Sequence, residues 1–371
     1  MSKITLSNDK ITAQQIALAA SCLLPCAKLL EAPSLLARYA TGDLLLPALL
    51  HFLLQAGILF LILFAISQSE KTLFERLEEA LGKWSILFYL LFGVYFLLCA
   101  ILPLLDLEKF IYAAFFDTSP TVFSFTFFFV LSAFICSKGL KALGRAAELS
   151  LFLYAIPFLL LIAMSLTEAD FSHLLPFFGS PLEGTMYAFT YTTPHFCDVI
   201  LLLPLLGNLR FQKGDTVKIM CGYGAGAISS LLFFAVFFGV FSSIAPREHY
   251  AFSKIAQYFP ALAIVGRIDL LFVYLLTIAL LIFTCMPLLY TVDFTCRILG
   301  TERRVLFATI LNVALLIFVF YCNKYYNFFY ALVAGKLPAV FWFIADMVPL
   351  LVLFLPKNKK NKPLKKEGSY A

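Results

Sequence analysis

Ten long apolar stretches fill this chain, and their length constrains its fold more than any other feature. Leu44–Ile66 and Ala147–Leu166, for example, each have the ~20 residues that a helix needs to cross a hydrocarbon layer of ~30 Å. Only 13% of the 371 residues are charged and 62% are hydrophobic, whereas a soluble domain carries about 25% charged residues. The sequence therefore predicts an all-α integral membrane protein.

About ten transmembrane helices are expected, and their charged flanks predict their orientation. The predicted spans are 11–37, 43–67, 84–106, 119–137, 146–167, 185–206, 216–242, 266–295, 304–322 and 338–356. With the N-terminus inside, most of the 28 Lys and Arg residues fall in cytoplasmic segments, so the positive-inside rule places both termini in the cytoplasm. The net charge of +6 reflects this bias and a basic tail that can contact anionic lipids, so no nucleic-acid partner is expected.

The even number of spans predicts an internal repeat. Two five-helix halves, about 11–167 and 185–356, would cross the membrane in opposite directions, which is the arrangement of an inverted repeat. We expect one polytopic membrane domain over 1–371, ending in a basic cytoplasmic tail at 357–371. No cleavable signal peptide is expected, because the first ten residues are polar.

The first span carries polar residues where a membrane helix rarely tolerates them. Pro25 removes a backbone donor and is expected to break or kink the helix. Lys28 and Glu31 are three residues apart and are expected to pair on one helix face. Because charges at membrane depth cost at least ~2.5 kcal/mol each, they commonly mark function. Cys26, Ala27, Lys28 and Glu31 are therefore candidate substrate-binding residues; the alternative is that the span ends early and both charges lie near the outer headgroups.

The sixth span is interrupted in a similar way. If it unwinds at Pro194, the N–H groups of its second half would face a substrate carboxylate. Its candidate substrate-binding residues are Tyr191, Thr193, His195 and Asp198. His195 could exchange a proton near neutral pH, and Asp198 could hold a proton or a cation. The alternative is a polar entrance close to the outer interface.

Three further candidate substrate-binding residues are Tyr95 in the third span and Tyr274 and Thr277 in the eighth. His51 and Gln55 face the same way in the second span, where interhelical hydrogen bonds are favoured over a ligand role.

Other patterns favour packing over chemistry. The spacing of Gly222 and Gly226 is typical of close helix contact, and Asp346 is a lone carboxylate with no obvious partner. Nine cysteines are scattered through the apolar spans, which predicts neither a disulfide scaffold nor a zinc site. Without a phosphate-binding loop, a metal signature or a Ser–His–Asp arrangement, we expect no cofactor, no metal and no enzyme activity.

Several short motifs occur in the order of a known family. They are Ile11-Thr12-Ala13-Gln14-Gln15, Gly42-Asp43, Leu81-Gly82-Lys83-Trp84, Gly139-Leu140-Lys141-Ala142-Leu143-Gly144-Arg145-Ala146-Ala147-Glu148, Leu174-Leu175-Pro176 and Arg267-Ile268-Asp269. Through them the chain resembles the B subunit of GerA-type spore germinant receptors, within the amino acid–polyamine–organocation transporter superfamily. By this register the family's glycines in the first span fall at Cys26 and Lys28, and its Phe-Gly-Glu pattern after Pro194 becomes His195-Phe196-Cys197-Asp198.

The resemblance implies a leucine-transporter-like fold with broken helices 1 and 6. It also implies a complex with an A-type subunit and a lipoprotein C-type subunit, in the spore inner membrane or the bacterial cell membrane. The expected function is permease-like sensing of a small polar germinant, an amino acid, between spans 1, 3, 6 and 8. The alternatives are a stand-alone proton-coupled amino-acid transporter and a passive conduit for ions or water.

Overall fold

A computed structural model describes residues 11–69, 71–115, 121–176, 179, 181–257, 269–322, 325, 328, 340, 343–347 and 350–354. Within these ranges the chain is almost entirely helical, and its only β-type pairing is an isolated bridge between Ile11 and Leu209. The α-helices are α1 (Ala13–Leu18), α2 (Leu24–Lys28), α3 (Ala32–Ala40), α4 (Leu45–Ser67), α5 (Leu73–Leu81), α6 (Ser85–Phe115), α7 (Thr121–Lys138), α8 (Leu140–Ser165), α9 (Leu182–Thr192), α10 (Asp198–Gly207), α11 (Asp215–Phe241), α12 (Ala251–Gln257), α13 (Asp269–Leu299) and α14 (Arg304–Cys322).

Most of the predicted spans correspond to helices long and apolar enough to cross a membrane. In the described ranges they are Leu45–Ser67, Leu73–Ile111, Leu140–Ser165, Leu182–Gly207, Asp215–Arg247, Leu271–Leu299 and Arg304–Tyr321, with a bent pair, Ala13–Lys28 and Ala32–Asp43, as an eighth. The fourth predicted span corresponds to α7, of which Thr126–Lys138 is a shorter apolar helix. The tenth, 338–356, is described in part, at residues 340, 343–347 and 350–354, and the tail, 357–371, lies outside the described residues.

The first span bends by 60° between Ala13–Lys28 and Ala32–Asp43. The helix does not break at Pro25, which is one of the two outcomes expected there. Pro25 lies in the first turn of α2, directly after a π-helical turn at Ala19–Leu23. Proline is tolerated there because its missing N–H falls where the helical hydrogen-bond pattern already changes. The break comes at residues 29–31.

The sixth span is interrupted close to Pro194, as expected. The helix α9 ends at Thr192, and a 3-10 turn, Thr193–Phe196, follows. Cys197 leaves the helical region with φ −77° and ψ 57°, and α10 then begins at Asp198. Because Pro194 has no N–H, it cannot donate a helical hydrogen bond at this interruption. Polar residues are thereby brought to the ends of two half-helices.

Close packing of α11 against the first span positions the break. A Cβ at Gly222 would lie 2.5 Å from the Ala17 carbonyl oxygen, and a Cβ at Gly226 would lie 2.4 Å from that of Ala20. Only glycine permits so close an approach of the two backbones. The packing interpretation of this glycine pair therefore agrees with the geometry.

Two short helices, α5 and α12, each precede a long helix. In α5, Thr72 and Glu75 form a reciprocal capping box, and Leu73, Phe74 and Leu77 are buried against the bundle. The second is the short helix α12, between α11 and α13. Its first residues reach the break in the first span.

Candidate functional site

A buried ion pair joins the two interrupted spans. The Lys28 ammonium lies 2.5 Å from Asp198 Oδ1, and both side chains are at most 3% exposed. Lys28 is the last residue of α2 and Asp198 is the first of α10. A cation at a helix C-terminus and an anion at a helix N-terminus are both favoured by the helix dipoles. The local sequence therefore places each charge where its own helix stabilises it.

Aromatic side chains complete the surroundings of this pair. The Tyr223 hydroxyl donates a hydrogen bond of 3.2 Å to Asp198 Oδ2, so both carboxylate oxygens have partners. The Lys28 nitrogen lies 5.5 Å from the ring centre of Phe196 and 5.8 Å from that of Phe52. A desolvated ammonium is attracted to such ring faces. The pair is thus buried, with Tyr223 bonded to the carboxylate and the Phe196 and Phe52 rings near the ammonium.

Glu31 has a different position from the one predicted. Lys28 pairs with Asp198, so the expected pairing of Lys28 with Glu31 along one helix face is wrong. The helix ends at Lys28 and bends before α3 begins, which removes the regular spacing that this pairing requires. Glu31 is 7% exposed and belongs to the break. Its main-chain carbonyl accepts a bond from the Ser34 hydroxyl.

The N-terminus of α10 is not open to a substrate carboxylate in the way predicted. The Val199 N–H donates to Gln55 Oε1 at 3.0 Å, and the Asp198 carboxylate already occupies the first turn. Gln55 also donates from Nε2 to Asp346, which therefore has a partner. The amide side chain of Gln55 joins α4 to the sixth span and to the π-helical turn Phe343–Met347.

His51 makes the interhelical contacts favoured by the sequence. Its Nε2 lies 2.8 Å from the Phe189 carbonyl oxygen and 3.3 Å from the Thr192 hydroxyl. Its ring stacks between Phe189 and Phe196, with centroid distances of 3.9 Å and 4.5 Å. The histidine thereby fixes the end of α9 against α4.

Main-chain groups released at the first break are partly satisfied by α12. The Leu30 carbonyl accepts the Ala251 N–H at 2.9 Å, and the Leu29 carbonyl accepts the Phe252 N–H at 3.1 Å. A buried carbonyl without a donor would be costly, and the orphan N–H groups of a helix start need acceptors. The first turn of α12 is therefore hydrogen-bonded directly to the break in the first span.

A cavity of about 100 Å³ lies beside the ion pair. Its walls come from the first break, from α6, from residues 194–201 and from α13, which are the predicted spans 1, 3, 6 and 8. Its polar lining includes Lys28, Glu31, Asp106, His195 and Asp198. Carboxylates therefore predominate over cationic groups at its surface.

The predicted site residues fall into three groups. Ala27, Lys28, Glu31, His195 and Asp198 line the cavity.

A second group is buried without lining the cavity. Cys26, Thr193 and Thr277 bond to carbonyls of their own helices, at Cys22, Phe189 and Val273. The Tyr95 side chain interacts with Cys99 and Cys197. These contacts are those of packing residues.

The third group, Tyr191 and Tyr274, does not reach the cavity. Tyr191 is 36% exposed and stacks on Tyr39 at 5.0 Å, whereas Tyr274 is 56% exposed. Helical rotation directs both rings away from the break. Roles of all these residues in ligand binding stay predictions.

Sequence reasoning missed Asp106. The third predicted span ends there, but α6 continues to Phe115 and Asp106 lines the cavity. The available signal was the pair of carboxylates at Asp106 and Glu108 inside a longer apolar run. Pro103 and Pro287, each inside a helix, also line the cavity.

Metal ligands are not grouped in the described part of the chain. No set of three or more His, Cys, Asp or Glu side chains there has the arrangement needed to hold a metal ion.

Solved structures with the same helix arrangement are transporters. MhsT in complex with L-phenylalanine matches with a TM-score of 0.63 and 16% identity, over 92% of this chain and 87% of that chain. Mhp1, a nucleobase-cation-symport-1 family transporter in a closed conformation with bromovinylhydantoin bound, matches with a TM-score of 0.55 and 11% identity, over 91% and 79%. At these identities the likeness shows the fold alone, and it confirms the leucine-transporter-like fold expected from the sequence.

The chain is thus a multi-pass membrane protein with this fold. Its family follows from the sequence itself, because the model of the spore germination protein family, Spore_permease, matches residues 12–326. The chain belongs to that family. No curated relative matches the sequence.

Proposed function

We propose that this chain is the permease-like subunit of a spore germinant receptor and senses a small polar molecule, an amino acid, in its cavity. The observation that carries the proposal is the buried Lys28–Asp198 pair, which joins both helix breaks beside that cavity. A ligand with an ammonium group and a carboxylate would interact with both signs of charge found there. The chain acts as a sensor without enzyme activity and uses no cofactor.

The proposed mechanism is a population shift. The ion pair holds the breaks of the first and sixth spans in one arrangement, and the Leu30–Ala251 hydrogen bond connects the same break to α12. A ligand that interacts differently with two arrangements changes their populations by that difference in affinity. The A-type and lipoprotein C-type subunits in the spore inner membrane would respond to this change in populations.

This function implies an arrangement in the membrane. Both termini would lie in the cytoplasm, and two inverted halves would cover about 11–167 and 185–356. The basic tail, 357–371, would then lie beside the anionic headgroups of the inner leaflet.

Spores that carry altered versions of this chain provide the test. Asp198→Asn removes the anionic partner of Lys28, and we expect at least a tenfold higher germinant concentration for half-maximal germination. The matched control is Asp170→Asn, because Asp170 is an exposed carboxylate outside the membrane spans, and its response should equal the wild type. Equal levels of both variants, and co-purification of the A-type and C-type subunits, exclude loss by misfolding. A wild-type response of Asp198→Asn would contradict the proposal.

A stand-alone proton-coupled transporter is the second candidate, and it is favoured by the likeness to MhsT. Purified chain in proteoliposomes would then accumulate an amino acid saturably when a pH gradient is imposed. Germinant sensing without transport predicts no such accumulation, together with retention of the partner subunits.

A further inference from the structure

Glu31 is a buried carboxylate that faces the cavity without a bonded partner. It is 7% exposed and lines the cavity at the first break. In the described part of the chain, no hydrogen bond or ion pair reaches its carboxylate; the bond from Ser34 goes to its main-chain oxygen. A buried ionised carboxylate is costly unless a cation or several donors satisfy it. This side chain therefore indicates that a ligand supplies the missing donors.

The ammonium group of Lys28 is not available to bind the Glu31 carboxylate. Lys28 is bound to Asp198, whose second oxygen is bound by Tyr223. Its charge is consequently compensated before any ligand enters. The carboxylate of an additional zwitterion would have to compete with Asp198 for the same ammonium group.

The wall of the cavity at the first break is acidic. Asp106 lines it together with Glu31, and the two carboxylates are close enough to repel each other. Lys109 lies near them, but it also interacts with Glu108, so one half-buried ammonium serves three carboxylates. Within the described residues, negative charge therefore exceeds positive charge around the cavity.

Two prolines add to the acceptor character of the walls. Pro103 and Pro287 cannot donate to the carbonyls four residues earlier, those of Cys99 and Phe283, and all four residues line the cavity. An ammonium group has three donors and no acceptor, so it complements carboxylates and freed carbonyls. A carboxylate ligand would add a further acceptor to a site that already has an excess.

The size of the cavity limits the ligand. A volume of about 100 Å³ is severalfold larger than the ~10–15 Å³ that a single water needs, so the cavity has room for a ligand of several non-hydrogen atoms. Apolar walls from Leu24, Leu98 and Phe283 can contact a short methylene chain. An aliphatic amine of four or five carbons fits this volume and has a methylene chain that can contact these walls.

We propose that the preferred ligand of this cavity is a small organic cation, an aliphatic amine whose ammonium group binds Glu31. This inference rests on the proposed sensing function for the location of the site, but it differs from that proposal in the ligand, which is a cation rather than a zwitterionic amino acid. The amine, rather than a neutral zwitterion, compensates the excess negative charge at the break.

A series of four-carbon compounds that differ in charge tests whether the ligand must be a cation. The melting temperature of the purified full-length chain in detergent is measured with butylamine, 1,4-diaminobutane, 4-aminobutyrate and butyrate. We expect saturable increases with the two amines, a smaller increase with 4-aminobutyrate and none with butyrate. A response to butyrate or 4-aminobutyrate that equals the response to butylamine would overturn the proposal.

Variants locate the effect at Glu31. Glu31→Gln keeps the size of the side chain and removes its charge, so the apparent Kd for butylamine should rise at least tenfold. Glu168→Gln is the matched control, because Glu168 is exposed and remote from the cavity. Ala27→Leu fills the cavity and leaves Glu31 intact, so it should also abolish the amine response. This second variant provides the test if Glu31→Gln does not fold. Unchanged amine binding in these variants would contradict the proposal.

The outcomes separate this inference from the proposed function. A melting response to alanine that is lost in Asp198→Asn, without any response to amines, would refute the amine proposal and leave germinant sensing intact. Amine binding that depends on Glu31, combined with normal germination of Asp198→Asn spores, would support the cation site and refute the receptor mechanism.

Discussion

Lys28 and Asp198 are 170 residues apart in the chain, yet their charged atoms meet at 2.5 Å. One residue ends a half-helix of the first span and the other begins a half-helix of the sixth. Each charge therefore interacts favourably with its own helix dipole and with the other charge. This relationship fixes the distance between the two breaks.

Removing one member of this pair should destabilise the protein more than removing both. Lys28→Met or Asp198→Leu alone leaves a buried charge unpaired, which costs about 3–5 kcal/mol. The double variant should recover most of that loss, because no isolated charge remains. A double-mutant cycle measured by chemical unfolding in detergent provides the coupling energy. Additive single effects would show that the two side chains are not coupled.

Substitution of Gly226 should separate α11 from the first span. A Cβ there would lie 2.4 Å from the Ala20 carbonyl oxygen, so Gly226→Ala should cost about 1–3 kcal/mol by overpacking. Gly224→Ala is the matched control, because nothing lies within 4 Å of its Cβ position and alanine favours the helix. Gly226→Ala should lower the melting temperature relative to the wild type, and Gly224→Ala should raise it. Equal effects would exclude close packing as the reason for Gly226.

Loss of the Gln55 amide should weaken the second half of the sixth span. Gln55→Leu leaves the Val199 N–H and the Asp346 carboxylate without their partner, and each buried group left unsatisfied costs about 1–3 kcal/mol. Gln257→Leu is a suitable control, because among the described residues that exposed amide bonds only to Ser253, at 3.4 Å. Hydrogen exchange of the α10 amides should increase in Gln55→Leu alone. Unchanged protection would exclude a role for Gln55 at this helix end.

Arg297 should not be replaceable by lysine. Its guanidinium donates to Asp293 and Asn208 at 3.0 Å and lies 4.5 Å from the ring centre of Phe74. A lysine cannot reproduce this planar set of bonds and stacking, so Arg297→Lys should lose about 1.5–3 kcal/mol.

The exposed Arg303 provides the conservative control for that change, since Arg303→Lys should be neutral in the same unfolding assay. Equal stability of the two variants would contradict a structural role of the arginine network at the end of α13.

Much of the architecture was accessible from local patterns. Apolar runs located the helices, Pro194 located the sixth interruption, and the Gly222–Gly226 spacing indicated close packing. The first interruption was placed too early, because the π-helical turn that accommodates Pro25 leaves no separate signal in the sequence. Asp106 was missed because the apolar run ends gradually, whereas α6 continues to Phe115.

What the sequence by itself determined was the membrane class, the order of spans and the two segments rich in polar residues. Hydropathy and proline chemistry act over a few residues, so they can be read without a structure. Only the tertiary structure decided that Lys28 pairs with Asp198, that Gln55 occupies the start of α10 and that Glu31 faces the cavity. Charge pairing depends on contact distance in a desolvated interior, and those distances arise only when separate helices pack.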